Sequence, residues 1–263
     1  LTETVVYRKV DSITVQPNDP TPTKDQPIDP NNPDGPKWTE ELIKKLEDAR
    51  KEEVNRTITY KYSDVESELK PADTAKKGAD IASEFTTKVE FKRAITVDPV
   101  TGDFTYGPWK ATNDDTTLEG KSELPKVEGY IATGDVDSSK KDVKNVNATD
   151  KDITENVVYK ALGKFVPVVP EGFTPPTIEN PQYPNSDDPS KPGTPTTTIP
   201  YVPGTTPVGP NGQPLTPKDP KDPTKGYEPP VPTNPTSDTT IIYTKDGSQV
   251  AVTHFIEVNS ETD

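Results

Sequence analysis

Cysteine and methionine are both absent from the 263-residue sequence, and histidine occurs once, at His254. Without cysteine, the chain can form neither a disulfide framework nor a thiolate metal site. Serine-type and cysteine-type nucleophilic catalysis also need an imidazole base, and none lies within residues 37–166. Catalysis by paired carboxylates needs only Asp and Glu, but most of these residues are expected at the solvated surface. We therefore expect no enzyme activity and no cofactor.

Large apolar residues are scarce as well, since hydrophobic residues make up only 28% of the chain. No run approaches the roughly 18 apolar residues of a membrane-spanning helix, which argues against membrane insertion. A basic patch is also missing, and the formal net charge is −14. Nucleic acids and anionic lipids are bound mainly through positive charge, so the sequence argues against both as partners.

Proline, in contrast, is abundant, and most of the 32 prolines lie in two segments, 17–36 and 167–238. Each proline fixes its own φ, removes a backbone donor and restricts the preceding residue, which excludes helices and central strands. In "PLTPKDPKDPTKGYEPPVP" at 214–232, the prolines at 214, 217, 220 and 223 follow one another at every third position, which is the repeat of polyproline II. We expect both segments to be extended, solvent-exposed linkers.

A repeated motif defines the boundaries around these linkers. "LTETVVYRKV" at 1–10 recurs as "ITENVVYKAL" at 153–162, and both copies precede a proline-rich segment. Each copy is therefore predicted to be the last strand of a module in a tandem array. The predicted organisation is the C-terminal strand of a preceding module at 1–16, a linker at 17–36, a complete module at 37–166, a linker at 167–238 and a truncated following module at 239–263.

The complete module combines one amphipathic helix with alternating strands. "WTEELIKKLEDARKEEV" contains a capping Thr39 and a narrow apolar stripe, which predicts a helix. "RTITYKY" and "FTTKVEFKRAITV" alternate apolar and polar residues, which is typical of half-buried strands. The predicted fold class is therefore α+β, in a small strand-dominated module with an N-terminal helix.

Four stretches of this module resemble a known family. "RTITYKYSD", "VEFKRAITVDPVTGDFTYGPWK", "LPKVEGYIA" and "VVYKAL" are similar to the MucBP/Mub-type repeats of lactobacillal mucus-binding proteins. The resemblance covers about residues 55–162. It implies a ubiquitin-like β-grasp fold and a place in a secreted, cell-wall-anchored adhesin of a Gram-positive bacterium. The sequence contains neither a signal peptide nor an anchoring signal, so we expect a fragment of such a protein.

The same resemblance implies partners. We expect the module to bind host mucin glycoproteins through weak multivalent contacts, with immunoglobulin as an alternative ligand and with modules that stay monomeric in the array. A second hypothesis is a structural stalk, in which the module projects another adhesive domain from the cell wall. Both functions need soluble repeated modules and spacers, so the sequence leaves them open.

Residue type alone selects the candidate ligand-binding residues, which are Tyr106, Trp109 and Tyr130. Aromatic rings stack on the apolar C–H faces of sugars and are therefore common in glycan sites. A module so poor in large apolar residues also needs its rings for the core, and this alternative is favoured.

Three acidic residues form the candidate metal site, namely Asp135, Asp137 and Asp142. Carboxylate oxygens at close spacing are typical calcium ligands, but the segment lacks the glycine and the final bidentate acid of a calcium loop. An acidic surface loop is therefore favoured over a metal site. No catalytic or cofactor-binding residue is predicted.

Overall fold

The computed structural model describes residue 3 and residues 10–247. The strands within them are β1 (Ile13–Val15), β2 (Lys51–Tyr62), β3 (Asp80–Lys92), β4 (Ile95–Val97), β5 (Phe104–Tyr106), β6 (Lys110–Ala111), β7 (Tyr130–Gly134), β8 (Ile153–Ala161), β9 (Phe165–Val168), β10 (Thr205–Val208) and β11 (Thr239–Lys245). The α-helices are α1 (Glu40–Arg50) and α2 (Val136–Ser139), and short 3₁₀ helices lie at Glu66–Glu68, Pro71–Lys76 and Pro223–Lys225. This composition confirms a strand-dominated, mixed α/β structure. None of the helices in the described part is long and apolar enough to cross a membrane.

The chain divides into two compact units. Unit 1 comprises Leu1–Lys61, Asp80–Glu123 and Gly134–Val158, and unit 2 comprises Tyr62–Ala79, Leu124–Thr133 and Tyr159–Asp263. Unit 1 contains a three-stranded sheet of order β1-β4-β5, and unit 2 contains one of order β10-β11-β9. A five-stranded sheet has the order β6-β3-β2-β8-β7.

Helix α1 begins where the sequence predicts it. The Thr39 hydroxyl accepts a hydrogen bond from the backbone N–H of Leu42 at 3.1 Å, which satisfies one of the free donors of the first turn. Leu46 is fully buried in one cluster with Trp38 and with Ile95 of β4. Burial of such a side chain stabilises a fold by about 1.5–3 kcal/mol, so packing and capping together explain the position of the helix.

Strand β2 is the central strand of the five-stranded sheet, and β8 lies beside it and runs in the same direction. Asp152 accepts a hydrogen bond from the backbone of Asn55, and Asn156 accepts one from the hydroxyl of Thr59. Both pairs are separated by 97 residues, and a constant separation along two strands indicates parallel pairing. Strands β2 and β3 form an antiparallel hairpin, with Ile58 opposite Phe85.

The N-terminal proline-rich segment, 17–36, is folded within unit 1. Ile28 is buried in the same cluster as Trp38 and Leu46. The backbone N–H of Ile28 donates to the carbonyl of Pro36, and that of Trp38 donates to the carbonyl of Gln26, both at 2.9 Å. The structure thus corrects the prediction of an extended linker, because the segment buries apolar side chains and closes on itself.

The longer proline-rich segment, 167–238, supplies much of the core of unit 2. Its buried residues in the core cluster are Ile178, Tyr183, Ile199, Val202 and Tyr227, and they pack with Leu162, Phe165, Ile241 and Tyr243. Ile199 and Tyr227 exchange two backbone hydrogen bonds of 3.0 and 2.8 Å. The prediction of an extended, solvent-exposed spacer is corrected here as well, because burial of these side chains drives the segment to fold.

Turns at Asp-Pro and Asn-Pro dipeptides explain how so many prolines fit into a folded segment. In each turn, the side chain of the Asp or Asn accepts a hydrogen bond from the backbone N–H two residues later. The backbone carbonyl of the same Asp or Asn accepts a hydrogen bond from the N–H three residues later. This pattern occurs at Asp29, Asp188, Asp219, Asp222 and Asn234. Proline in the second position sets φ close to the value that a type I turn needs. Successive turns at Asp219 and Asp222 therefore space prolines three residues apart without polyproline II.

Both ends of the described chain pair with neighbouring strands. Strand β1, inside 1–16, pairs antiparallel with β4 of unit 1. Strand β11, inside 239–263, pairs parallel with β9 and antiparallel with β10. Most of the first motif copy and residues 248–263, which include His254, lie outside the described residues. The module boundaries inferred from the motif therefore stay predictions.

Hydrogen exchange tests whether 167–238 is folded. The amides of Ile199 and Tyr227 should exchange far more slowly in the native chain than in the same chain in denaturant, because each is bonded and buried. Residue-resolved exchange by NMR measures both rates. Native exchange at the rate of the denatured chain would support an extended spacer instead.

Candidate functional site

Arg93, which follows β3 directly, is held at the C-terminal end of α1. Its Nε donates to the carbonyl of Ala49 at 2.7 Å, and its backbone N–H donates to the carbonyl of Arg50 at 3.1 Å. The last carbonyls of a helix have no partner within the helix, and positive charge is favourable beside them. These bonds therefore fix the backbone position of Arg93 and the direction of its side chain.

Two aromatic rings lie against the guanidinium of Arg93. Its Cζ is 4.2 Å from the ring centroid of Tyr106 and 4.0 Å from that of Trp109, within the range of cation–π attraction. In the described part of the chain, no protein acceptor binds its Nη1 or Nη2. We call Arg93, Tyr106 and Trp109 the aromatic–arginine site.

The turn between β5 and β6 brings the two rings to this guanidinium. The N–H of Gly107 donates to the carbonyl of Ala94 at 2.9 Å, and a Cβ on Gly107 would lie only 3.1 Å from that oxygen. Tyr106 is 52% exposed, whereas Trp109 is half-buried and packs against the core cluster that contains Val89. Tyr106 therefore offers a free stacking surface, and Trp109 connects the site to the core.

The aromatic–arginine site combines two modes of recognition. The exposed ring of Tyr106 can stack on an apolar C–H face, and the Nη groups of Arg93 can donate to hydroxyl or carboxylate oxygens. The stacked rings and the bond to Ala49 hold the guanidinium in place, so little side-chain entropy is lost when a ligand binds. The geometry suits a ligand with both apolar faces and many oxygens.

Tyr130, the third aromatic candidate, belongs to the core of unit 2 and is only 2% exposed. Its hydroxyl donates to the carboxylate of Asp73 at 2.8 Å and accepts the backbone N–H of Lys70 at 3.1 Å. Its ring packs edge-to-face on Tyr62, with centroids 5.1 Å apart. Burial raises the pKa of Tyr130 to about 12. Of the three predicted rings, the structure therefore brings together only Tyr106 and Trp109.

The three candidate metal ligands serve as separate surface groups. Asp135 accepts the backbone N–H of Asn156 at 2.8 Å, and Asp142 accepts that of Gly120 at 3.0 Å. Asp137 is exposed on α2. Among residue 3 and residues 10–247, no group of three or more His, Cys, Asp or Glu side chains is placed to hold a metal ion. Two of the three carboxylates serve as backbone acceptors, and the calcium hypothesis stays a prediction.

A buried ion pair between Arg56 and Glu155 is the main feature that the sequence analysis missed. Arg56 is 1% exposed, and its Nε and Nη2 donate to one carboxylate oxygen of Glu155 at 2.8 and 2.6 Å. The guanidinium also donates to four backbone carbonyls at 2.8–3.2 Å, those of Leu118, Glu119, Ser138 and Lys141. One side chain thus ties two loops of unit 1 to strand β2.

Strand alternation contains the signal that could have revealed this pair. Arg56 shares the buried face of β2 with Ile58. Glu155 shares the buried face of β8 with Val157. When one basic and one acidic residue each occupy an inward position on two strands, they are predicted to form an ion pair. The reason is that an unpaired buried charge is too costly in free energy.

Comparison with known families finds a match for part of the chain. Residues 46–163 match the family model of the Muc B2-like domain. Over these residues the chain is similar to that domain. The match confirms the predicted mucus-binding-type repeat, and it includes all three residues of the aromatic–arginine site. No curated protein matches the chain.

Several solved structures are similar to part of the chain. The mucin-binding domain of Spr1345 from Streptococcus pneumoniae is 19% identical, with 43% of this chain and 92% of that chain covered and a TM-score of 0.31. The MucBP domain of the adhesion protein from Pediococcus pentosaceus is 24% identical, with coverage of 41% and 97% and a TM-score of 0.27. The type 2 repeat of the mucus binding protein MUB from Lactobacillus reuteri is 24% identical, with coverage of 42% and 50% and a TM-score of 0.25. The family assignment therefore rests on the match of residues 46–163.

The substitution Glu155→Gln tests the buried ion pair. Arg56 would keep its buried charge without a counter-charge, and the free energy of unfolding should fall by about 3–5 kcal/mol. Denaturant titration measures the change. Glu53→Gln is the matched control, because its exposed pair with Lys88 should contribute less than about 1 kcal/mol. Equal effects of the two substitutions would contradict a special role of the buried pair.

From the raised pKa of Tyr130 we predict that the stability of the chain depends on pH. Its pKa of about 12 in the folded chain lies above the ordinary tyrosine value of about 10, so the unfolded chain releases this proton first. The contribution of Tyr130 to the free energy of unfolding is fully present below pH ~10, and it is lost as the pH rises through the pKa of the folded chain. Burial also raises the pKa of Tyr243 to about 12, so ultraviolet titration should show one fewer phenol titrating in this range in Tyr130→Phe than in the native chain. An unchanged titration curve in that variant would disprove the assignment.

Proposed function

We propose that the chain is a non-catalytic repeat of a bacterial surface adhesin and that it binds host mucus glycoproteins. The observation that carries this proposal is the match of residues 46–163 to the Muc B2-like domain. The aromatic–arginine site lies inside the matched residues and presents an exposed ring beside a positioned guanidinium. This surface is therefore our candidate for the glycan contact.

Short-range chemistry explains how an acidic chain can bind mucin glycans. The net charge of −14 repels sialylated or sulfated glycans at long range, although salt screens this repulsion beyond about 8 Å. Stacking on Tyr106 and hydrogen bonds from Arg93 act only at contact, where screening matters little. One small contact is weak, and several repeats on one chain increase the avidity.

The proposal includes the fold class and the location. The β2–β3 hairpin with β8 parallel to β2 supports a ubiquitin-like β-grasp module. We place the module on a secreted, cell-wall-anchored protein, as a monomer within a tandem array. Immunoglobulin is the alternative protein ligand for the same surface.

A stalk function is favoured by a different observation. Residues 17–36 and 167–238 carry buried apolar residues, so they hold a defined shape. Folded connecting segments suit a chain that projects another adhesive domain at a fixed distance. In that case, the aromatic–arginine site would have no ligand, which separates the two functions experimentally.

The substitution Tyr106→Ala tests the adhesion proposal. It removes an exposed ring, so retention on immobilised mucin should fall at least about tenfold while the melting temperature changes little. Thr105→Ala, an exposed position on the same strand, is the matched control and should retain full binding. If neither the native chain nor the control is retained better than an unrelated acidic domain, the stalk function is supported instead.

A further inference from the structure

A groove of about 650 Å³ opens in unit 2, within the proline-rich segment and outside the residues that match the Muc B2-like domain. Its walls come from three stretches of chain, residues 177–184, 195–201 and 224–226. The volume is in the range of known small-ligand sites. The function proposed above does not use this groove.

Hydrogen bonds and one glycine hold the three stretches in place. The reciprocal backbone bonds of Ile199 and Tyr227 join two of them, and the hydroxyl of Thr197 donates to the carbonyl of Glu179 on the third. Gly226 has a φ of 88°, and a Cβ there would lie 2.4 Å from the side chain of Thr198. The groove is therefore preformed, which lowers the entropic cost of binding.

The polar groups in the groove are hydroxyls and amides. Thr177, Thr196 and Thr198 expose hydroxyls, and Asn180 exposes a carboxamide. Within the described residues, none of these four side chains has a hydrogen-bond partner. Each hydroxyl and amide can both donate and accept, so together they match a ligand that carries many hydroxyl groups.

Rigid apolar surfaces face the same space. Tyr201 is half-buried and packs against the core cluster of unit 2, which fixes its ring. Pro184, Pro195 and Pro200 add apolar surfaces that lose no side-chain entropy on binding. An aromatic ring beside hydrogen-bonding groups is the combination that recognises a sugar ring.

The charges on the walls argue against an ionic ligand. Glu179 is the carboxylate of the lining and Lys225 is its ammonium group. Lys225 is already paired with Asp219 at 2.6 Å. A carboxylate or sulfate would meet no free cation on these walls, so a neutral ligand is favoured.

We infer that this groove binds a neutral oligosaccharide. A sugar ring stacks on Tyr201, and its hydroxyls exchange hydrogen bonds with the threonines of 196–198 and with Asn180. The site extends beyond the proposed function, since it lies outside residues 46–163. It gives one chain a second sugar contact in addition to the aromatic–arginine site, and two contacts on one chain increase avidity.

Titration of the full chain with the neutral oligosaccharide fraction released from mucin tests this inference. NMR should show saturable shifts at the amides of Thr196 and Thr198. Tyr201→Ala should weaken this binding by about tenfold, whereas Tyr201→Phe, which keeps the ring, should retain it. Thr198→Val removes one hydroxyl at nearly constant volume and should weaken binding even if the alanine variant fails to fold.

The control Tyr106→Ala separates this inference from the adhesion proposal. It should reduce retention on intact mucin without changing the shifts at residues 196–198. The inference is overturned if the neutral fraction produces no shifts in the groove, or if Tyr201→Ala and Thr198→Val both bind as tightly as the native chain. Tighter binding of the acidic oligosaccharide fraction or of a proline-rich peptide to these residues would also overturn it.

Discussion

The buried ion pair of Arg56 and Glu155 organises the centre of unit 1. Removing two charges from water is costly, and the cost is offset here because the guanidinium also donates to four backbone carbonyls. Strands β2 and β8 and the loops near 118 and 138–141 must therefore assemble together. Strand β3 pairs along this assembled β2, and its end places Arg93 between α1 and the rings of Tyr106 and Trp109.

Local physical rules predicted much of the domain. The cap at Thr39 and the alternation of β2 and β3 act between neighbouring residues, so the sequence contains their full signal. Tyr106 and Trp109 come together because both rings pack on Arg93. Arg93 is in turn held by Ala49 at the end of α1, which is distant from it in sequence. Tyr130 has the same residue type as Tyr106 but lies in a core, and residue type alone contains no information on burial.

The proline-rich segments show why a periodic pattern can have two structural explanations. A three-residue spacing of prolines fits polyproline II, but it also fits successive Asp-Pro turns. The burial of apolar residues such as Ile28, Ile199 and Tyr227 decides between the two explanations. This burial depends on contacts with residues far away in the sequence, so local patterns do not reveal it. A folded segment of this kind holds its shape and contains a groove, so the proline-rich segment is itself a candidate binding surface.

Our central proposal is that residues 46–163 bind mucus glycoproteins through the aromatic–arginine site. Hydrogen–deuterium exchange of the full chain, with and without mucin glycopeptides, tests this claim most directly because it needs no substitution. We predict that bound glycopeptide slows exchange around residues 93–111. Unchanged exchange throughout residues 46–163 at saturating glycopeptide would contradict the claim.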